Sequence, residues 1–262
     1  MILQGGKHKI CFPPLYFVGK FVNISVYIGG ECISGAVRSI WDGFDFTYIL
    51  SILLGLIPSL LCITLHELSH GYVAYRLGDN TAKTRGRLTL NPLKHLDVMG
   101  LLMMLVFHVG WAKPVPVNMY NFKNPKRGMA VTALAGPVSN FIIALVFMFI
   151  FGALYMPLSA SRVGMYVLSM LQLTAYMSLG LGLFNLIPLP PLDGSKVLFS
   201  VLSDEGYYKL MRYEKYGMIL MLVLVSTGVI GKPLSQAIDV VYNGLLPIAQ
   251  FALDTVYRLF YI

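Results

Sequence analysis

Residues 46–70 read FTYILSILLGLIPSLLCITLHELSH, and this stretch decides which class of fold the chain adopts. Residues 46–65 contain no charge, and as a helix these roughly 20 residues, at about 1.5 Å each, cover the hydrocarbon core of a bilayer. The run leads directly into His66 and Glu67. The sequence therefore predicts a first transmembrane helix that carries ionisable side chains at its end.

The composition also indicates a membrane protein. Of the 262 residues, 56% are hydrophobic and 12% are charged, whereas a soluble globular domain carries about 25% charged residues. The net charge of +8 could suggest nucleic acid, but the basic residues lie between apolar runs and are not interleaved with aromatic ones. We therefore expect a lipid bilayer as a partner and no nucleic acid.

Further apolar runs predict the other membrane elements. Residues 128–161 and 163–192 contain no charged residue and predict the second and third spans. Residues 98–110 would give a helix of about 20 Å, which predicts a re-entrant or shallow element. Its flanks, residues 86–92 and 111–118, alternate like short strands, and we expect them to line a wet cavity.

These elements predict an all-α polytopic membrane protein. Its core has three transmembrane helices, with re-entrant or β-strand elements between the first and second. We divide the chain into an N-terminal extension at 1–45, interpreted as a peripheral β-hairpin, a core at 46–199, and a cytoplasmic loop with C-terminal helices, either transmembrane or amphipathic, at 200–262. Basic residues concentrated between the first two spans place that region on the cytoplasmic side.

The segment HELSH at 66–70 is an HExxH motif. On a helix this spacing places two imidazoles on one face with the glutamate beside them, which predicts His66 and His70 as zinc ligands and Glu67 as the catalytic base. So short a motif arises by chance in very roughly one chain in a hundred of this length. Its place at the end of an uncharged span favours function, because ionisable groups there are costly.

A catalytic zinc needs a third protein ligand and one open position. Asp193 lies in NLIPLPPLDG at 185–194, where prolines break the preceding helix and Gly194 permits close approach of the backbone. A solvated aspartate in a helix-terminal turn is the alternative, but pairing with HExxH favours the ligand. We predict one Zn²⁺ per chain, and we interpret His95 and His108 as structural or surface residues.

Other motifs follow in order: HELSHGYVAYRLGD from His66, GRLTLNPLKHLD from Gly86, GWAKPVPVN from Gly110, GMAVTALAGPVSN from Gly128 and FNLIPLPPLDG from Phe184. Together they resemble the site-2 proteases, intramembrane zinc metalloproteases, and in particular the small bacterial type without PDZ or CBS domains. The resemblance covers roughly residues 46–199. It implies a multi-pass protein of the bacterial cell membrane with its active site towards the cytoplasm.

The resemblance also implies hydrolysis of peptide bonds within or next to transmembrane segments of membrane proteins, by zinc-activated water with Glu67 as general base. The family's Gly-Pro-x-x-Asn element is present as Gly136, Pro137 and Asn140. Asn140 then contacts the substrate backbone or the developing oxyanion, or it supplies polar packing between helices. The substrate and the oligomeric state stay open.

Two other classes of function were weighed. A transporter would show repeats or several charged spans, which the sequence lacks. A silent protein that only binds transmembrane helices is disfavoured by the intact HExxH and Asp193. For a protease, residues 110–118 or 87–91 are candidates to pair with unwound substrate backbone as an added β-strand.

Overall fold

The chain is mostly helical in the computed structural model, which describes residues 27–28, 31–32, 46–97, 99–100 and 112–260. The helices are α1 (Phe46–Arg76), α2 (Thr81–Thr84), α3 (Pro125–Ser159), α4 (Arg162–Asn185), α5 (Asp193–Ser200), α6 (Asp204–Ser226) and α7 (Gly231–Phe260). Two short strands, β1 (Tyr27–Ile28) and β2 (Glu31–Cys32), pair antiparallel with Tyr27 opposite Cys32. The rest of the hairpin predicted in 1–45 lies outside the described residues, as does most of the predicted re-entrant element at 98–110.

Capping residues fix where the long helices begin. The Asn124 side chain accepts a hydrogen bond from the Arg127 amide at the start of α3, and the Ser161 side chain accepts one from Gly164 at the start of α4. The short turn between α3 and α4 makes these helices antiparallel neighbours. Both helices are long and apolar enough to cross a membrane, and they coincide with the predicted second and third spans.

Close approach of backbones holds α7 against α3. A Cβ added to Gly152 of α3 would lie 2.0 Å from the Ala249 carbonyl oxygen of α7, so only glycine permits this contact. Around it lies a cluster of buried apolar residues from α3, α4 and α7, namely Ala144, Met148, Ala175, Leu179, Leu234, Ile238 and Ala249. Helix α1 packs against both α3 and α4. The Cys62 thiol of α1 donates to the Thr174 carbonyl of α4 at 3.6 Å.

The connector between α1 and α3 is irregular. The expectation of short strands at 86–92 and 111–118 is not met in its described part, which contains only an isolated antiparallel bridge between Leu96 and Ala112. Pro92, Pro114 and Pro116 explain the difference, because proline has no N–H to donate to a ladder of strand hydrogen bonds.

Asp79 ties the end of α1 to the far end of this connector. Its buried carboxylate accepts hydrogen bonds from the Thr81 amide at 3.0 Å, the Asn118 amide at 2.7 Å and the Asn121 side chain at 2.7 Å. Burial alone raises the pKa of Asp79, but these hydrogen bonds stabilise the charged form and hold the pKa below its ordinary value.

Asp79→Ala is expected to lower the thermal unfolding midpoint of the detergent-solubilised protein at pH 7. The change removes hydrogen bonds from part-buried donors to a charged acceptor, each of which contributes about 1 kcal/mol. Because the pKa is lower in the folded protein, the stabilisation is present above the unfolded pKa and is lost as the pH falls through the folded value. The difference from wild type should therefore shrink below about pH 4.

Glu205→Ala, which removes an exposed acid, is the control for this experiment. If Asp79→Ala shifted the midpoint no more than Glu205→Ala at pH 7, the role given to Asp79 would be wrong.

Candidate metal centre

Helix α1 carries both histidines of the HExxH motif on one buried face. His66 and His70 are 4% and 8% exposed, and their rings meet edge to face with centroids 4.6 Å apart. The two Nε2 atoms are 3.0 Å apart. The helical spacing of four residues thus directs both ring nitrogens to one point.

Asp193 reaches the same point from the first turn of α5. Its Oδ2 atom is 3.2 Å from His66 Nε2 and 3.0 Å from His70 Nε2. The preceding loop folds back on the end of α4, where a Cβ added to Gly194 would lie 2.2 Å from the Leu186 carbonyl oxygen. The close backbone approach predicted for Gly194 is confirmed.

The donor set fits a divalent cation. The ligand atoms of His66, His70 and Asp193 all lie within 4.8 Å of one another, and all three residues are buried. His70 Nδ1 lies 2.7 Å from the Thr132 carbonyl, which can only accept, so neutral His70 carries its proton there and directs the Nε2 lone pair at Asp193. Two imidazole nitrogens and one carboxylate oxygen form a common ligand set for zinc.

Asn140 lies behind the other imidazole. It is fully buried, its amide nitrogen lies 3.0 Å from His66 Nδ1, and its Oδ1 has no hydrogen-bond partner. A half-turn of the amide lets Oδ1 accept the His66 Nδ1 proton, which leaves Nε2 free to bind a metal. The structure therefore places Asn140, the predicted substrate or oxyanion contact, against His66, one of the two histidines predicted to bind the metal.

Gly136 makes the space in which the two imidazoles lie. A Cβ at this position would be 2.4 Å from His70 Nε2 and 2.5 Å from His66 Cε1. Thr132, Gly136 and Asn140 are four residues apart along α3 and form one face towards the site. The sequence contained this spacing, but neither the role of the Thr132 carbonyl nor that of Gly136 was predicted from it.

Glu67 is held by the connector. Its Oε2 accepts a hydrogen bond of 2.8 Å from the amide of Val115, a buried residue between two prolines. Lys196 Nζ lies 3.6 Å from Asp193 Oδ1, the oxygen that does not face the histidines. Neither contact was predicted, although Lys196 follows Asp193 by three residues and so shares its side of α5.

The remaining histidines take no part in this site in the part of the chain that is described. His95 is 1% exposed, and its Nε2 lies 3.0 Å from the Thr89 carbonyl, so it contributes to packing of the connector. His108 falls outside the described residues.

Comparisons with known proteins agree with this geometry. The model of Peptidase family M50 matches residues 155–228. YwhC of Bacillus subtilis (strain 168), described as a candidate zinc metalloprotease, is 39% identical over 220 residues, which are 81% of this chain and 94% of that protein. Rip2 of Mycolicibacterium smegmatis, described in the same words, is 32% identical over 173 residues, which are 64% of each protein.

No solved structure matches the chain. The extent of the match to YwhC, together with the family model, shows that this chain belongs to peptidase family M50, the site-2 protease family that its motifs resemble.

Proposed function

We propose that the chain is an intramembrane zinc metalloprotease that hydrolyses peptide bonds within or next to transmembrane segments of other membrane proteins. The observation that carries this proposal is the convergence of His66 Nε2, His70 Nε2 and Asp193 Oδ2, with Glu67 adjacent in the chain. Membership of a peptidase family supports proteolysis. Relatives described as zinc metalloproteases support zinc as the ion, one per chain.

Each ligand has a partner that fixes its orientation. The Thr132 carbonyl holds the ring of His70, and the Asn140 amide holds that of His66. A zinc ion held by His66, His70 and Asp193 would supply Lewis acidity and lower the pKa of a water in its open position to about 7. The protein's contribution is to keep the three donor atoms and the base in fixed relative positions.

Glu67 is the proposed general base and later the acid for the leaving amine. The Val115 amide binds one carboxylate oxygen, Oε2, and so restricts rotation of the side chain. The other oxygen, Oε1, then accepts a proton from the attacking water and donates it to the amine nitrogen when the peptide bond breaks.

Helices α1, α3 and α4 determine how the protein lies in the bilayer. We propose that these helices form a three-helix transmembrane core, with α1 as the span predicted at 46–65, and that the protein is multi-pass in the bacterial cell membrane. The basic residues of the connector then face the cytoplasm, and the site opens towards that side. Polar groups at this depth must be paired within the protein, and the buried contacts of the histidines meet that requirement.

A transmembrane substrate must unwind before cleavage, because helical hydrogen bonds and side chains shield its carbonyl groups. Two segments are candidates for pairing with unwound backbone: 87–91 contains a bend at residues 89–90, whereas the described part of 110–118 contains no bend or turn and ends at Asn118 in an extended conformation. The Val115 amide already binds Glu67. The Asn118 amide likewise binds Asp79. We propose that the substrate pairs with the carbonyl groups of residues 115–118 and with the Val117 amide.

Glu67→Gln should retain zinc and lose cleavage by about 10²–10⁴-fold, since the general base is removed and the ligands are kept. His66→Ala and Asp193→Ala should lose zinc. Zinc is measured by mass spectrometry of the purified protein. Cleavage is measured first as uncut proteins that accumulate in membranes of cells carrying Glu67→Gln in place of wild type.

The protein that accumulates most is then chosen as the substrate. A peptide that contains its single transmembrane span and a fluorogenic label is the reporter for purified enzyme in detergent. Normal turnover of this reporter by Glu67→Gln would refute the proposed base. Wild-type enzyme with bound zinc that cleaves no membrane protein in a Glu67-dependent way would refute the proposed activity.

Gly136→Ala should reduce zinc content and cleavage together, because the added methyl group occupies the space of the His70 ring. Gly180→Ala on α4 is the matched control, since its Cβ would make only an ordinary contact of 3.5 Å with Ile238. Equal zinc content in the two variants would contradict the role assigned to Gly136.

Asn140→Leu distinguishes the predicted oxyanion contact from the role that the hydrogen bond to His66 suggests. If Asn140 acts through His66, zinc affinity should fall by about 10- to 100-fold, as expected for the outer partner of a metal ligand. An oxyanion contact would instead lower kcat of the reporter with zinc affinity unchanged. Zinc competition with a fluorescent chelator measures the first quantity, and unchanged affinity would exclude the role through His66.

A further inference from the structure

Arg87 is a buried cation that binds backbone carbonyl groups. It is 9% exposed, and its Nη2 donates to the carbonyls of Lys113 at 2.6 Å and Pro114 at 3.2 Å, while Nη1 donates to the carbonyl of Lys94. The planar guanidinium offers several donors in fixed directions, so it can join two separate segments at once. Burying a charge is costly, which indicates that this connection has a specific use.

The segment that Arg87 holds continues directly to the proposed base. Val115 follows Pro114, and its amide donates to Glu67 Oε2 at 2.8 Å. Pro114 and Pro116 have no N–H, so Val115 supplies the amide that this part of the segment can offer to Glu67. The Val115 side chain is also buried, against Gly71 of α1, where an added Cβ would lie 3.0 Å from Val115 Cγ1.

A second tether lies on the other side of Val115. The Asn118 amide donates to Asp79 Oδ2 at 2.7 Å, and Asp79 follows the end of α1. Arg87 and Asp79 therefore bind the two ends of the short segment 113–118, which carries the Val115 amide. The contact made by Arg87 lies closer to Val115 than the contact made by Asp79, because Arg87 binds the carbonyl of Pro114, the residue directly before Val115.

We propose that Arg87 is a positioning residue for proteolysis, which sets the place of the Val115 amide and through it the orientation of the Glu67 carboxylate. The inference rests on the proposed function of Glu67 as general base. Arg87 touches neither the metal ligands nor Glu67, so its effect passes through the backbone of residues 113–115. A misplaced base lowers the rate without preventing zinc or substrate from binding.

Hydrogen exchange at the Val115 amide tests the structural link without any substrate. In zinc-loaded, full-length protein in detergent, this amide should be protected in wild type and in Arg85→Ala, which removes an exposed arginine two residues away. It should exchange faster in Arg87→Ala, Arg87→Lys and Glu67→Ala. Since prolines flank Val115, fragment mass spectrometry isolates its signal. Equal protection in wild type and both Arg87 variants would overturn the proposal.

Cleavage of the fluorogenic single-span reporter tests the functional link. Arg87→Ala should lower kcat by about 10²-fold with zinc content unchanged, and any change in KM should be much smaller than the change in kcat. Added ethylguanidinium should restore part of that loss. In a Val115→Pro background, which removes the amide, Arg87→Ala should lower kcat little further, because the two changes break the same connection.

Losses in kcat that multiply in the double variant, or a kcat for Arg87→Ala equal to that of Arg85→Ala, would contradict the inference. So would a loss for Arg87→Ala that only follows lost zinc and that ethylguanidinium does not restore. Reporter cleavage by wild type that does not depend on Glu67 would instead refute the proposed function, and the exchange experiment still decides the link from Arg87 to Val115.

Discussion

The structure depends on the contact between one carboxylate and two imidazoles inside a bundle of apolar helices. Asp193 approaches the Nε2 atoms of His66 and His70 to within 3.2 Å, and all three residues are buried. Burial of the Asp193 carboxylate carries a desolvation penalty of several kcal/mol, which Lys196 at 3.6 Å offsets in part and a bound divalent cation would offset further. Gly136 of α3 and Gly194 of α5 leave the space that this approach requires.

The residues around the site contribute in different ways, according to the element on which they lie. One face of α3 supplies a carbonyl, an empty space and an amide at successive turns, from Thr132, Gly136 and Asn140. The connector between α1 and α3 holds Glu67, the proposed base, through the Val115 amide. The proposed metal site is thus built from packed helices, whereas the proposed base is held by an irregular segment that Arg87 and Asp79 bind in turn.

Much of the site could be predicted from the sequence because its ligands lie in short motifs. HExxH specifies its geometry once it is on a helix, and the Asp193 motif follows an apolar run broken by prolines. The contacts of Thr132, Gly136 and Val115 join residues 48 or more positions apart, and no local pattern encodes such pairs. The strands expected beside the site failed for a local reason, since their prolines lack the donors that a sheet requires.

X-ray absorption at the zinc edge of the purified, full-length protein identifies the atoms that bind the metal. We expect one zinc per chain bound only by nitrogen and oxygen at about 2.0–2.2 Å, with the scattering pattern of two imidazole rings, and loss of that spectrum in Asp193→Ala. Sulfur scattering near about 2.3 Å, a spectrum without imidazole, or an unchanged spectrum in Asp193→Ala would contradict this expectation.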